Sequence, residues 1–259
     1  MKVTVLGCGT SSGVPRIGGD WGACDPANPR NRRTRASILV QSETTTILID
    51  SGPDMRLQLL AAGVGVIDAV IWTHEHADHT HGIDDLRQLY HARGAPVPGY
   101  GRRATLAALE DRFGYVFTGR YGYPQTAVPT LLPDKTWIGD ILIQVVDMPH
   151  GEITSAGLRF EQGGATAGYA TDFSMTTIEM EALFKGVDLW IVDCLRREPH
   201  PTHPHLALTL DAIARVRPKR AVLTHMDQSM DYAALVDELP AGVEPGFDGL
   251  SILLPESPC

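Results

Sequence analysis

A chain of 259 residues is long enough for one large domain or two closely joined ones, so its core needs no disulfide staples. Lysine and arginine number 22 against 31 aspartate and glutamate. The resulting net charge of −9 argues against holding long nucleic acid by bulk phosphate neutralisation and leaves short anionic substrates open.

In chain order, short apolar runs bounded by Gly, Pro or Asp predict strands at 3–6, 37–40, 46–49, 69–72, 141–146, 168–170, 189–192, 221–223 and 250–254. Helical spacing predicts helices at 54–62, 82–92, 104–113, 177–184, 208–216 and 232–239. Strands come in hairpin-like clusters and then alternate with helices, which predicts a mixed α/β protein with helices on the outer faces of its sheets. The segment 90–133 holds five of the seven tyrosines, Tyr90, Tyr100, Tyr115, Tyr121 and Tyr123. Its composition suits a lid over a site or a homodimer interface as well as an added layer of core. The cysteines Cys8, Cys24, Cys194 and Cys259 form no Cys-x-x-Cys pair, so free thiols in a reducing compartment are expected, buried at Cys8 and Cys194. With no run of eighteen apolar residues and an opening too short for a signal peptide, the expected location is the cytoplasm, with no membrane partner.

The most informative stretch is Ile71-Trp72-Thr73-His74-Glu75-His76-Ala77-Asp78-His79-Thr80-His81. A strand ending at Trp72 lets His74 and His76 project from the loop that follows, while Asp78 and His79 open the next helix. Imidazole and carboxylate without thiolate suit Zn, Mn or Fe in an open site rather than a closed structural zinc. His81 and His91 lie beyond this cluster and read as solvated or supporting residues.

The order His-x-His-x-Asp-His resembles the signature of the metallo-β-lactamase-fold hydrolases. The resemblance implies further ligands downstream, and candidates stand in order: His150 in Met148-Pro149-His150, Asp172 in Ala170-Thr171-Asp172, and His225 in Leu223-Thr224-His225. Each follows or closes an apolar run, which puts it at a strand end on one rim. By resemblance, His74, His76 and His150 hold one divalent cation, Asp78, His79 and His225 a second, with Asp172 between them; Mn and Zn both suit the set. Where classical β-lactamases resemble an arrangement with a cysteine ligand, this chain has Asp172, which makes antibiotic hydrolysis a minor alternative. Asp50, in Ile49-Asp50-Ser51-Gly52, matches the family's first motif and is expected to orient a ligand histidine or the ligand loop. The implied fold is an αβ/βα sandwich of two mixed β-sheets with helices on the outer faces. It forms a single domain over 1–259, from two similar halves that split near Leu131.

Three further stretches are similar to the branch of this family that contains the cyclic phosphodiesterase PhnP: 7–15, 32–37, and the tail with Asp231-Tyr232 and Asp248-Gly249. The resemblance implies a dinuclear phosphodiesterase acting on a small phosphodiester, cyclic ones included, or a nucleotide. Asp78 is then catalytic because it positions the attacking water, and a histidine near 200–205 protonates the leaving oxygen. His205 is expected in that role, with His203 as its competitor and His200 a surface residue. Branch members carry an auxiliary zinc through cysteines near Gly19 to Cys24; only Cys24 remains here, so its absence is expected. A positive rim for substrate could draw on Arg33, Arg35, Arg102, Arg103, Arg120, Arg196 and Arg197. The rival readings are a tRNA 3′-processing endonuclease, a thioester or lactone hydrolase, and a non-catalytic metal-binding accessory protein.

Overall fold

The computed structural model describes residues 1–255, so Cys259 lies outside the described residues. Along β2 (Ser37–Gln41), β3 (Thr46–Ile49) and β4 (Ala69–Ile71), side chains alternate between two apolar layers. Ile38, Val40, Ile47, Ile49, Ala69 and Ile71 join the core shared by the two sheets. Leu39, Leu48 and Val70 join a second core beneath the outer helices. Burial on both faces is why these strands read as unbroken apolar runs instead of alternating ones.

With β1 (Lys2–Gly7), β5 (Val97–Gly101), β6 (Ala127–Leu131) and β14 (Ser251–Leu253), they form a sheet ordered β14-β1-β2-β3-β4-β5-β6. The second sheet holds β7 (Lys135–Ile138), β8 (Ile141–His150), β9 (Ile153–Gln162), β10 (Ala165–Ala170), β11 (Leu189–Asp193), β12 (Arg220–Thr224) and β13 (Val243–Pro245). Its order is β13-β12-β11-β10-β9-β8-β7. Both sheets start antiparallel and finish parallel: the change falls at β3 in the first and at β10 in the second. The chain passes from one sheet to the other between Leu131 and Lys135, and β14 returns to pair with β1. Helices α1 (Met55–Ala62), α3 (Leu86–Arg93) and α4 (Arg103–Thr118) cover the first sheet. On the second sheet lie α5 (Ile178–Phe184) and α6 (Leu206–Val216), with α7 (Tyr232–Glu238) beside β13. The short α2 (Ala77–Thr80) sits at the strand ends. This is the αβ/βα sandwich with helices outside.

Several elements depart from the expected spans for identifiable reasons. Pro98 and two glycines interrupt β5, and Pro129 interrupts β6, so neither shows the apolar run that predicts a strand. The expected helix 82–92 begins instead as a 3-10 turn, Ile83–Asp85, before α3. Segment 90–133 supplies β5, β6 and α4, with Leu109, Val116 and Phe117 in the core and Tyr115, Tyr121 and Tyr123 exposed. Among the described residues no helix is long and apolar enough to cross a membrane. Cys8, Cys24 and Cys194 are free and buried.

Arg33 corrects one expectation. Instead of facing an anion from the rim, it is 2% exposed and stitches two loops together. Its guanidinium donates to the carbonyls of Asp227 at 3.1 Å and Met230 at 2.5 Å, to Asn31 Oδ1 at 3.4 Å and to Cys24 Sγ at 3.8 Å. The thiol expected to lack zinc partners thus accepts from a buried cation, and the segment after His225 is tied to the loop before β2. Replacing Arg33 with Met strands two carbonyl acceptors, at a cost of about 1–3 kcal/mol. Melting is then expected to fall by roughly 2–10 °C. An unchanged melting temperature removes Arg33 from this role.

Candidate metal centre

Each residue of the site sits where a strand ends. Asp50 follows β3, His74 and His76 lie in the loop after β4, His150 closes β8, Asp172 comes just after β10, and His225 follows β12. Asp50, Asp172 and His225 adopt φ of +64°, +59° and +58°, left-handed values that non-glycine residues rarely take. Such strain persists where surrounding contacts over-determine the backbone, and it is concentrated at the residues that face one another here. The turn after Asp50 clamps α2: Ser51 N donates to the carbonyl of His79 and Gly82 N to that of Ser51, both at 2.8 Å. This contact requires glycine, since a Cβ on Gly52 would collide with the carbonyl oxygen of Asp78 and one on Gly82 with that of Gly52.

Asp172, nearly fully buried, stands at the centre. Its Oδ1 lies 3.9 Å from His74 Nε2, 3.7 Å from His150 Nε2 and 3.6 Å from His225 Nε2, while Oδ2 lies 3.2 Å from His79 Nε2. Asp78 Oδ2 is 3.4 Å from His79 Nε2 and 3.5 Å from His225 Nε2. Two donors that each approach a shared cation at about 2.0–2.2 Å stand about 3–3.5 Å apart, so these spacings fit ligation with little adjustment. The donor atoms gather into three sets, each with its atoms within 4.8 Å of one another: His74, His76, His150 and Asp172; Asp78, His79 and His225; and Asp172, Asp193, His203 and His225, which shares a residue with each of the others.

Hydrogen bonds on the far side of the rings fix which nitrogen faces the centre. His79 donates Nδ1–H to Asp50 Oδ2 at 2.7 Å, and His150 donates Nδ1–H to the carbonyl of Thr202 at 2.9 Å. Thr73 spends its single hydroxyl proton on the Asp50 carboxylate and accepts from His74 Nδ1 at 3.0 Å. Asp50 also accepts from Thr73 N at 2.8 Å, so it holds both the ligand loop and a ligand ring. The inward Nε2 atoms of His74 and His79 are buried and have no hydrogen-bond partner among the described residues. Buried polar atoms without a partner are costly. A cation bound by their lone pairs removes that cost, so the donor set fits a pair of divalent ions of the kind Mn and Zn provide.

Chelation would leave protons to balance the charge of this site. Burial lowers His74 and His150 below the usual imidazole range. Burial opposes a proton on His79 too, but Asp172, Asp78 and Asp50 raise it well above that range. Against burial, Asp172, Asp193 and Asp78 push His225 up to about 9. Despite their own burial, Asp78 is held well below the usual carboxylate range by His79 and His225, and Asp172 by His225 and His79. Two imidazolium charges thus stand where cationic charge is needed, and metal uptake near pH 7 is expected to release about two protons, measurable by calorimetry in buffers of different ionisation enthalpy. The stability that His225 gives the chelated chain is present below about pH 6.5 and lost as pH rises through 9. Chelated protein should therefore melt lower at pH 9.5 than at pH 6.5; equal melting contradicts this charge balance.

The two competing histidines part company. His205 is the N-cap of α6, its Nδ1 accepting from Leu208 N at 3.4 Å, and it makes no contact with the cluster among the described residues. His203 stacks on His225, with ring centroids 4.9 Å apart, and donates Nδ1–H to Asp193 Oδ2 at 3.1 Å. The geometry places His203, and not His205, against the cluster. Asp193, the last residue of β11, was not anticipated. It is buried, accepts from Asp172 N at 2.8 Å, and lies within a metal-competent group with Asp172, His203 and His225. Its sequence signal, an Asp closing the apolar run 189–192, matches that of Asp50. His81 is exposed against Phe113, and His200 Nδ1 accepts from Thr202 N at 3.3 Å. Most of the proposed rim cations are committed elsewhere. Arg35 pairs with Asp54, Arg102 with Asp134 and Asp147, and Arg197 with Glu238, while Arg196 donates to the carbonyls of Glu198 and Pro199.

Residues 45–226 match the family described as the beta-lactamase superfamily domain. The crystal structure of a diphosphatase from the PhnP family superposes with a TM-score of 0.88 at 35% identity, covering 97% of each chain. An octanoyltransferase of Porphyromonas gingivalis is 32% identical over 99% of this chain, which matches 52% of that protein. A ribonuclease Z of Bradyrhizobium sp. is 31% identical over 51% of this chain and 46% of its own length. The chain thus spans about half the length of these two relatives.

Proposed function

This chain belongs to the beta-lactamase superfamily domain family, and from that premise we propose that it is a metal-dependent hydrolase that cleaves a P–O bond in a small phosphodiester or disubstituted diphosphate. The observation that carries this reading is the convergence of His74, His76, Asp78, His79, His150, Asp172 and His225 from both sheets, with the buried Nε2 atoms of His74 and His79 left for a cation. Likeness to the PhnP-family diphosphatase supports the substrate class.

When bound, two divalent cations supply Lewis acidity toward a phosphoryl oxygen and an acidified water. The chain's own part is to hold them and to move one proton. His74, His76 and His150 would hold one ion and Asp78, His79 and His225 the other, with Asp172 placed between the two sets. Asp50 and the Thr202 carbonyl keep His79 and His150 in the tautomer that presents Nε2. Asp193 accepts His203 Nδ1–H, which leaves His203 Nε2 to carry the proton for the leaving oxygen. A carboxylate that fixes the orientation and tautomer of a histidine acid is the same logic as in hydrolytic triads.

Similarity to ribonuclease Z favours a second reading, an RNA endonuclease, against which the net charge of −9 weighs. Protein reconstituted with Mn or Zn is to be assayed on methyl 4-nitrophenyl phosphate, a cyclic nucleotide, a dinucleoside diphosphate, a precursor tRNA and a thioester. The expected result is turnover of the small phosphorus substrates with two ions per chain. Cleavage of the precursor tRNA with higher kcat/KM replaces the proposal by the second reading, and turnover of the thioester alone defeats both.

A further inference from the structure

Beside the ligand loop, between the 3-10 turn Ile83–Asp85, the start of α3 and the end of α4, lies a cleft of about 540 Å³ lined in part by Asp84, Arg87, Tyr115, Arg120, Tyr121 and Tyr123. The helix that supplies Tyr115, α4, also touches the ligand loop. Arg112 on α4 donates to the carbonyl of Glu75, between His74 and His76, at 2.5 Å, and Phe113 meets the His81 ring edge-on at 5.4 Å. At Phe113 the helix loses its regular dihedrals (φ −126°, ψ 32°), and beyond this break Tyr115 donates its hydroxyl to Asp84. A tight turn follows, closed by reciprocal backbone bonds between Arg120 and Tyr123 of 3.1 and 2.9 Å, with Tyr121 at φ +52°.

The turn presents cations and aromatic faces together. The Arg87 guanidinium lies 4.6 Å from the Tyr123 ring centre and that of Arg120 lies 4.8 Å from the Tyr121 ring centre. Among the described residues neither guanidinium has a hydrogen bond or a carboxylate partner, unlike Arg35, Arg102, Arg197, Arg215 and Arg220. Tyr121 is 85% exposed and Tyr123 58%. In a chain of net charge −9, two guanidiniums held only by stacking keep their donor forks free for an anion. The tyrosine rings beside them offer flat surfaces on which a base can stack.

We propose that this cleft receives the nucleoside end of a nucleotide substrate, the base on the Tyr121 and Tyr123 rings and a phosphate on Arg87 and Arg120. The inference rests on the phosphodiesterase reading and adds the part of the substrate that is not cleaved. No bond is made or broken in the cleft; it contributes binding alone.

Thymidine 3′-phosphate 5′-(4-nitrophenyl phosphate) and methyl 4-nitrophenyl phosphate share the reacting diester and differ in the nucleoside and its second phosphate, so metal-loaded wild type and the doubly substituted Arg87→Ala/Arg120→Ala variant are compared on both. In the variant, KM for the nucleoside ester should rise about 5- to 100-fold with little change in kcat, and the methyl ester should lose less than about twofold. Equal losses on the two esters, or no loss on the nucleoside ester, overturn the proposal. Calorimetric titration of the same metal-loaded proteins with AMP gives a readout independent of turnover: AMP affinity should weaken by a similar factor in the variant. Absence of AMP binding to wild type, or equal affinity in the two proteins, also overturns it. If wild type cleaves neither ester yet AMP binding depends on Arg87 and Arg120, the cleft stands and the phosphodiesterase reading falls.

Discussion

Replacing Asp172 by Asn is expected to lower hydrolysis by about 10³–10⁴-fold, the size of a several-kcal/mol loss of charge stabilisation at a two-metal site, and to reduce metal content from two ions to one or fewer. The substitution is informative because it leaves the backbone alone. Asp172 sits at φ +59°, and Asn tolerates the left-handed region as well as Asp does, so the strained turn after β10 is retained. Volume is retained too. What is lost is one of two negative charges, and with it an acceptor: an amide nitrogen in place of one carboxylate oxygen points a donor at an imidazole that also needs a lone pair. Both oxygens are engaged, Oδ1 near His74, His150 and His225 and Oδ2 near His79, so neither orientation of the amide avoids the conflict. The burial of Asp172 is opposed chiefly by His225 and His79, whose protons lose a counterion in the variant. Metal analysis, kcat on a small diester and thermal unfolding with and without chelator are the measurements. A variant that keeps two ions and hydrolyses within tenfold of wild type removes Asp172 from the position between the metals.

The part of the site that could be read in the sequence is the part built from local spacing. His74, His76, Asp78 and His79 lie within six residues, and a loop between a strand and a short helix brings them together with no help from distant chain. Asp50, His150, Asp172 and His225 were legible one step less directly, because each follows or closes an apolar run that becomes a buried strand. Asp193 has the same signal, but an Asp at a strand end is common and its contacts to Asp172 N and His203 are what mark it out. Five strands, β5, β6, β7, β9 and β13, lie outside the expected spans, and β5, β6 and β13 share one reason. They are short and carry Pro or Gly, and they pair in parallel register through tertiary contacts that override weak local preference. The Tyr115–Tyr123 region was legible as an aromatic-rich segment, but the break at Phe113 that turns it toward Asp84 leaves no mark in composition.

Substituting His203 and His205 separately is expected to split catalysis from stability, and the reason lies in where α6 begins. Apolar spacing predicted the helix from 208, which leaves His205 free in a loop. The helix starts at Leu206, so His205 becomes its cap, a role for which histidine is not among the favoured residues. Backbone bonds from Leu195 N to the Pro204 carbonyl and from Leu206 N to the Arg196 carbonyl, at 3.0 and 2.9 Å, set the path of the Pro-rich loop and bring His203 over His225. His203→Ala should therefore lose about 10²–10⁴-fold in kcat on a diester with an alkoxide leaving group, the usual worth of a positioned acid. On a nitrophenyl ester, whose leaving group needs little protonation, the loss should be tenfold or less. His205→Ala should keep its rate on both esters and lose stability instead, about 0.5–2 kcal/mol from the missing cap. Asp193→Asn should weaken the alkyl ester preferentially, as His203→Ala does, because the amide oxygen can still accept from Asp172 N and His203 Nδ1 but no longer supplies the negative charge that supports the ring as an acid. If His203→Ala slows both esters equally, the ring supports the site without giving a proton. If His205→Ala alone shows the leaving-group dependence, the cap must open during turnover to deliver His205, and the assignment passes to it.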